Sequence, residues 1–223
     1  MIWSLGLPFL CHAYRSKSPV DLYFGISVRL FRGMKNGTMH TDTTGRRNSL
    51  AVYYKDENIL IRTILPADAQ IICDEEIAQG WNQTIDKYLM RIKDNSTGKS
   101  IALVAEYQGN VAGYINIYPD SKWGAFANKG YPEIVDFGVL EKYRRNGIGA
   151  KLMDVAEEIA GKYADTVYLG VGLNSGYGSA QRMYVKRGFV PDGSGVWYGE
   201  KVAVPYKEYC NDDDLILYLS KKL

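Results

Sequence analysis

The run Arg144-Arg145-Asn146-Gly147-Ile148-Gly149 constrains this chain more than any other. It follows a strand-like segment, Glu133 to Leu140, and opens a helical stripe of Ile148, Leu152, Val155, Ile159 and Tyr163. A helix start leaves its first N–H groups unpaired, and the helix dipole favours negative charge at that end. Two glycines let the backbone approach an anion without Cβ atoms in the way. Arg144, Arg145, Lys142 and Lys151 add positive charge around it. A strand that feeds such a turn belongs in an α/β sheet, and the turn itself reads as a phosphate cradle.

Two familiar phosphate loops do not fit. A dinucleotide-binding GxGxxG needs a third glycine where this chain has Leu152, and a Walker A loop needs Gly-Lys-Ser/Thr where it has Gly149-Ala150-Lys151. A plain helix-capping turn with basic neighbours is the remaining alternative to a cofactor cradle on these residues alone. The formal net charge of +2 is too balanced for a nucleic-acid partner, which calls for a clustered basic face. Cys11, Cys73 and Cys210 form no CxxC pair, which argues against a zinc knuckle or dithiol site and suits a reducing, cytoplasmic compartment. The histidines, His12 and His40, lie outside the patterned part of the chain, so a Ser-His or Cys-His nucleophile is not expected. No apolar run reaches the length of a membrane span, and no metal site is read.

Residues 1–57 lack a sustained period, and the stretch Arg32 to Asn48 is rich in Gly, Thr, Asn and Arg. They read as a leader or appendage, loosely ordered, ahead of one domain over 58–223. From Asn58 the chain alternates strands and helices. Ile59 to Ile64 is a strand, and Pro66 opens a helix carrying Ile71, Ile72, Glu75 and Ile77. A second helix, Thr84 to Lys93, presents Ile85, Leu89 and Ile92 on one face. Two alternating strands meet at a turn over Gly109-Asn110. After the cradle helix come a strand at Thr166 to Val171, a short helix from Ser179 to Arg187 ended by Gly188, and strands at Trp197-Tyr198 and Leu215 to Ser220. This order indicates a single mixed sheet flanked by helices.

The segment from Val139 to Gly149 resembles the acetyl-CoA signature of the GNAT superfamily of N-acetyltransferases, Arg/Gln-x-x-Gly-x-Gly/Ala preceded by an aliphatic residue five positions before. A second block, Ala180, Met183-Tyr184, Lys186 and Gly188-Phe189, is similar to that family's later helix and strand start. The resemblance implies the GNAT acyl-CoA N-acyltransferase fold. It also implies acetyl-CoA as cosubstrate, held by Phe137, Gly138, Val139, Arg144, Arg145, Asn146, Gly147, Ile148, Gly149 and Ala150. Transfer would be direct, without a covalent enzyme intermediate.

A lysine-like amine is neutral in roughly one molecule in 2,500 at pH 7, so its deprotonation is part of the barrier. Glu133 matches the family's glutamate base, with Asp136 as second choice; alternation places Asp136 on the opposite face from Glu133, Val135, Phe137 and Val139. The alternative for Glu133 is a solvated strand-end carboxylate, and for Tyr184 a packed helix side chain. Tyr184 matches the family tyrosine that protonates the departing thiolate. Backbone N–H groups near Phe137 and Val139 are candidates to stabilise the developing oxyanion. Asn174 departs from the family pattern, because Ser175-Gly176-Tyr177-Gly178-Ser179 separates it from Ala180. Asp212-Asp213-Asp214 reads as a solvated turn. The expected acceptor is a primary amine, with a small molecule placed ahead of a protein Lys or N-terminus, and a CoA-binding sensor as the non-catalytic rival. A monomer or homodimer is expected.

Overall fold

The structure, a computed structural model, describes residues 50–223. Most of the expected leader, residues 1–49, lies outside the described residues. The last part of it does not: β1 (Val52–Lys55) pairs antiparallel with β2 (Ile59–Thr63), so the sheet begins ahead of Asn58.

Among the described residues, nine strands form one mixed sheet in the order β1-β2-β3-β4-β5-β6-β9-β7-β8. After β2 come α1 (Pro66–Ala78), α2 (Ile85–Ser96), β3 (Ile101–Tyr107), β4 (Asn110–Tyr118) and β5 (Glu133–Val139). Then follow α3 (Ile148–Ala160), β6 (Thr166–Gly172), α4 (Gly178–Lys186), β7 (Val190–Tyr198), β8 (Lys201–Val202) and β9 (Leu215–Lys222). Only β5 and β6 run parallel, across the α3 connection; the other paired neighbours are antiparallel.

Each face of the sheet has its own core. Ile72, Cys73 and Tyr88 of α1 and α2 pack on Ala102, Val104 and Tyr114. On the other face, Leu152, Met153 and Ala156 of α3 meet Leu103, Ile115, Ile117, Ile134 and Leu169. The alternation of β3 and β4 between these two sets is what a strand buried on both sides requires.

Helix positions follow the sequence, but two stripes do not. In α1 the buried face is Asp68, Ala69, Ile72, Cys73 and Glu76, while Ile71 and Ile77 are exposed. In α2, Tyr88 is buried and Leu89 exposed. In α1 the reason is polar: Asp68 is drawn inward by Arg62, and Glu76 by the hydroxyls of Tyr88 and Tyr114. In α2, Ile85 and Ile92 pack on the core as expected, with Tyr88 taking the place of Leu89 between them. The β3–β4 turn also sits one residue earlier than expected. Gln108 and Gly109, at φ 50° and 80°, are its two central residues, and Tyr107 faces Asn110.

Candidate active site

β5 and β6 pair at Glu133 opposite Tyr168 and at Ile134 opposite Leu169, and then part. Beyond that point, among the described residues, the β6-facing edge of β5 has no strand to bond. On its other edge β5 stays paired with β4, but the register slips between Tyr114 and Asn116. The extra residue falls at Asp136, whose φ of 47° is left-handed. This bulge turns the rest of the strand over. Ile134, Phe137 and Val139 all pack on the α3 side, whereas strict alternation would have split them.

The same bulge corrects the expected placement of Asp136. Its carboxylate accepts a hydrogen bond from Arg91 Nε of α2, and Lys87 Nζ lies 3.9 Å from it. Asp136 therefore shares the α2 side with Glu133 instead of opposing it. It is held by two cations, which leaves Glu133 as the carboxyl at the head of the splay.

Glu133 is buried, not a solvated strand end. The Ser121 hydroxyl, from the β4–β5 loop, donates to Glu133 Oε2. Burial raises its carboxyl to about 7, because the charged form loses hydration. The hydroxyls of Ser121 and Tyr168 and the charge of Arg91 oppose that rise, and Asp136 adds to it. Phe126 lies over Tyr168 with ring centroids 4.8 Å apart, and Tyr168 donates to Trp123 O at 3.0 Å. The loop thus keeps bulk water from Glu133.

Tyr184 sits on the other face. It is buried, with its ring 6.4 Å from that of Phe137 and 5.9 Å from that of Phe189. Burial holds its hydroxyl well above the ordinary phenol range, so it stays protonated at neutral pH. Leu140 N donates to Ala112 O on the β4 side; backbone alternation then turns the Val139 N–H toward the open edge. Arg144 Nε reaches Val139 O there at 3.3 Å.

The cradle begins with a single 3-10 turn at Glu141–Tyr143. Arg145 and Gly147 both have positive φ, 67° and 78°, and Gly147 caps α3. Alternating hands of this kind point successive N–H groups to one side, an arrangement suited to anions. No side chain caps α3, which leaves its first N–H groups for a ligand. Asn146 Nδ2 ties the loop back to Tyr143 O at 3.1 Å. A Cβ on Gly149 would come within 3.3 Å of the Phe137 ring, so the helix start lies directly on the splayed strand. Ile148 is buried in the core, and Ala150 follows on the exposed side of the first turn.

Arg145 of the cradle, with Met183 and Lys186 of the second block, lines an open groove of roughly 790 Å³ between the cradle and α4, joined by Ser179 and Arg182, which carried no readable signal. Arg91 and Ser121 reach Glu133 and Asp136 from elements far off in sequence. Asn174, doubtful as a cofactor contact, accepts from Gly176 N and lies 3.4 Å from Asp213. Asp213 also accepts from Tyr177 at 3.0 Å, and Asp212 from Tyr198 at 3.1 Å. The aspartate run expected as a solvated turn is therefore tied to both the α4 loop and β7. Among the described residues no cluster of His, Cys, Asp or Glu could hold a metal ion, and no helix is long and apolar enough to cross a membrane.

The profile of the acetyltransferase (GNAT) family matches residues 69–189, and the chain belongs to that family. An N-alpha-acetyltransferase of Sulfurisphaera tokodaii is 37% identical over 94 residues, 39% of this chain and 54% of that protein. The chain thus spans about half the length of this curated relative. Solved structures share the fold at low identity. A ribosomal L7/L12 alpha-N-protein acetyltransferase, RimL, has TM-score 0.58 at 11% identity over 80% of this chain and 98% of its own. Ard1 from Thermoplasma volcanium gives 0.55 at 21% over 74% and 98%. Arabidopsis thaliana Naa50, in complex with a bisubstrate analogue CoA-Ac-MVNAL, gives 0.52 at 17% over 74% and 99%.

Proposed function

We propose that this chain is an acetyl-CoA-dependent N-acetyltransferase whose acceptor is the α-amino group of a peptide chain. The observation that carries the reading is Glu133, a buried carboxyl raised to about 7, at the head of the gap between β5 and β6. A general base works best when its pKa lies near the operating pH, which suits Glu133 to take a proton at neutral pH. An α-amine, at about 7.7–8.0, is neutral in a far larger fraction there than a lysine amine at about 10.4, so its deprotonation adds less to the barrier. The relatives whose names include N-terminal acetylation support the same acceptor. A small amine, the sequence-based expectation, fits equally where its own pKa is as low.

The residues present fit the cosubstrate. Uncapped N–H groups at Ile148, Gly149 and Ala150, the positive φ of Gly147, and Arg144 and Arg145 suit a pyrophosphate. The open edge of β5 at Phe137 and Val139, where the Val139 N–H points away from β4, suits an extended arm bearing amide groups, with Gly138 keeping the strand slim between them. When bound, acetyl-CoA supplies the acetyl group as an activated thioester.

Glu133 takes the proton from the acceptor ammonium, freeing the nitrogen lone pair. The nitrogen bonds to the acetyl carbonyl carbon, and the Val139 N–H meets the negative charge that grows on the carbonyl oxygen. The C–S bond breaks, Tyr184 gives its proton to the departing sulfur, and the second N–H proton, lost as the amide forms, restores the Tyr184 hydroxyl by way of solvent. Its raised pKa makes it a weak acid, but a thiolate leaving into the same buried space is destabilised by the same desolvation.

The test is a matched set of acceptors: one peptide with a free N-terminus, the same peptide N-acetylated but bearing a lysine, and a polyamine. Acetylation of the first at least tenfold faster is expected. Preference for the lysine peptide or polyamine overturns the acceptor class, and no thioester turnover with any amine overturns catalysis in favour of CoA sensing.

A further inference from the structure

Five non-glycine residues have positive φ among the described residues, and four of them, Gln108, Asn128, Arg145 and Tyr206, stand in turns. Asp136, at φ 47°, is the one inside a strand. L-residues rarely adopt that conformation unaided, and it persists where the surroundings enforce it. Glycine would adopt it freely, yet the chain has an aspartate there.

The enforcing group comes from α2. Tyr88 and Ile92 pack that helix on the sheet, which sets Arg91 beside the β4–β5 ladder. Arg91 Nε donates to Asp136 Oδ2, and Arg91 Nη1 donates to the Tyr118 hydroxyl at 2.6 Å. Tyr118 belongs to the regular part of the ladder, opposite Glu133, and its own hydroxyl donates to Asp94 at 2.6 Å. One planar guanidinium thus ties the slipped residue to a residue ahead of the slip, which a single ammonium point charge could not do with the same geometry. Lys87, 3.9 Å from the other Asp136 oxygen, is too far away to hydrogen-bond.

The slip decides where the following N–H groups point. Asn116 faces Val135 and Tyr114 faces Gly138, a step of two residues along β4 against three along β5. In an unbroken register Val139 would stand opposite Ala112, and its N–H would turn toward β4. With the bulge in place Leu140 N bonds to Ala112 O, and the Val139 N–H faces the gap between β5 and β6.

We infer that Arg91 is a positioning residue for acetyl transfer: through Asp136 it holds the left-handed bulge that aims the Val139 N–H at the thioester oxygen. This rests on the proposed reaction, in which that N–H meets the growing oxyanion. Arg91 itself touches neither substrate nor cosubstrate; its effect travels through the backbone of β5.

The test separates backbone conformation from charge. Arg91→Met is made alone and together with Asp136→Gly or Asp136→Ala. Both second changes remove the stranded carboxylate, but only glycine takes a φ of 47° without help. Turnover of acetyl-CoA with a peptide acceptor is measured at pH 9, where Glu133 is ionised with or without the Arg91 charge near it. For Arg91→Met we expect turnover down by about tenfold or more, as for a misplaced oxyanion donor, with acetyl-CoA affinity by calorimetry within about threefold, since the cradle is untouched. Adding Asp136→Gly should bring turnover back to within about threefold of wild type, and adding Asp136→Ala should not. If Arg91→Met does not fold, Asp136→Gly and Asp136→Ala in the otherwise native chain carry the same contrast. Equal recovery with glycine and alanine overturns the inference, because Arg91 then only neutralises Asp136. No recovery with either overturns it too, as does wild-type turnover in Arg91→Met or a loss of affinity as large as the loss of turnover. If the native chain itself turns over no thioester with any amine, the proposed reaction falls and the role of Arg91 with it.

Discussion

Tyr114 lies against Gly138 so closely that a Cβ on the glycine would come within 2.9 Å of the ring. The tyrosine cannot easily move away, because its hydroxyl is tied to the buried carboxylate of Glu76. Gly138→Ala must therefore shift either β5 or this buried pair. We expect a loss of about 1–3 kcal/mol in unfolding free energy, the usual cost of overpacking, and weaker acetyl-CoA binding by calorimetry, since the moved strand is the one that borders the splay. Wild-type stability and affinity together would show that the strand absorbs the methyl group.

Glu133 gives stability and activity opposite slopes with pH. Its carboxyl ionises near 4.5 when unfolded and at about 7 when folded. Between those values the unfolded state holds fewer protons, so stability falls as pH rises, by on the order of 3 kcal/mol across the window. Rate should climb over the same interval as the base ionises. Glu133→Gln should flatten the stability profile, raise stability at pH 8 and lower turnover most at neutral pH. Denaturant unfolding at pH 5 and pH 8, alongside the rate profile, checks both slopes; an unaltered rate profile would move the base to another group.

Removing the Tyr184 hydroxyl should touch catalysis far more than folding. The ring packs between Phe137 and Phe189, and Tyr184→Phe keeps it there. Stability should change by about 1 kcal/mol or less, turnover should fall roughly 10²-fold, and acetyl-CoA affinity should hold. Wild-type turnover would return Tyr184 to a packing role.

The cradle can be broken at either glycine, by different physics. Gly147→Ala meets open space but must adopt a φ of 78°, at a cost of roughly 1 kcal/mol. Gly149→Glu adds a carboxylate beside Phe137, where the proposed function puts the pyrophosphate, and it should abolish binding in a folded protein. Unchanged acetyl-CoA affinity by calorimetry in folded Gly149→Glu would put the anion elsewhere.

Chain truncation distinguishes the leader from the sheet. A chain starting at Met39 should keep cofactor affinity and turnover. Starting at Asn58 removes β1 and the bond from Thr63 N to Ala51 O, leaving the β2 edge bare, and should lower the thermal midpoint. Loss of activity in the folded Met39 form would give the leader a part in the site.

The sequence by itself determined the cradle, because its physics is local: a strand, two glycines and a helix start lie within a dozen residues. It also carried the succession of strands and helices from Asn58 and pointed to Glu133 and Tyr184, through periodicity and motif. It could not determine which way β5 faces. One left-handed residue, Asp136, inverts the parity of the strand, and nothing local distinguishes that aspartate from an ordinary one. Nor could it find Arg91 or Ser121 as neighbours of Glu133. Those side chains meet through strand register and helix packing across the sheet. The chemistry of Glu133 was decided there too, since a carboxyl's pKa depends on how much water the surrounding tertiary structure removes.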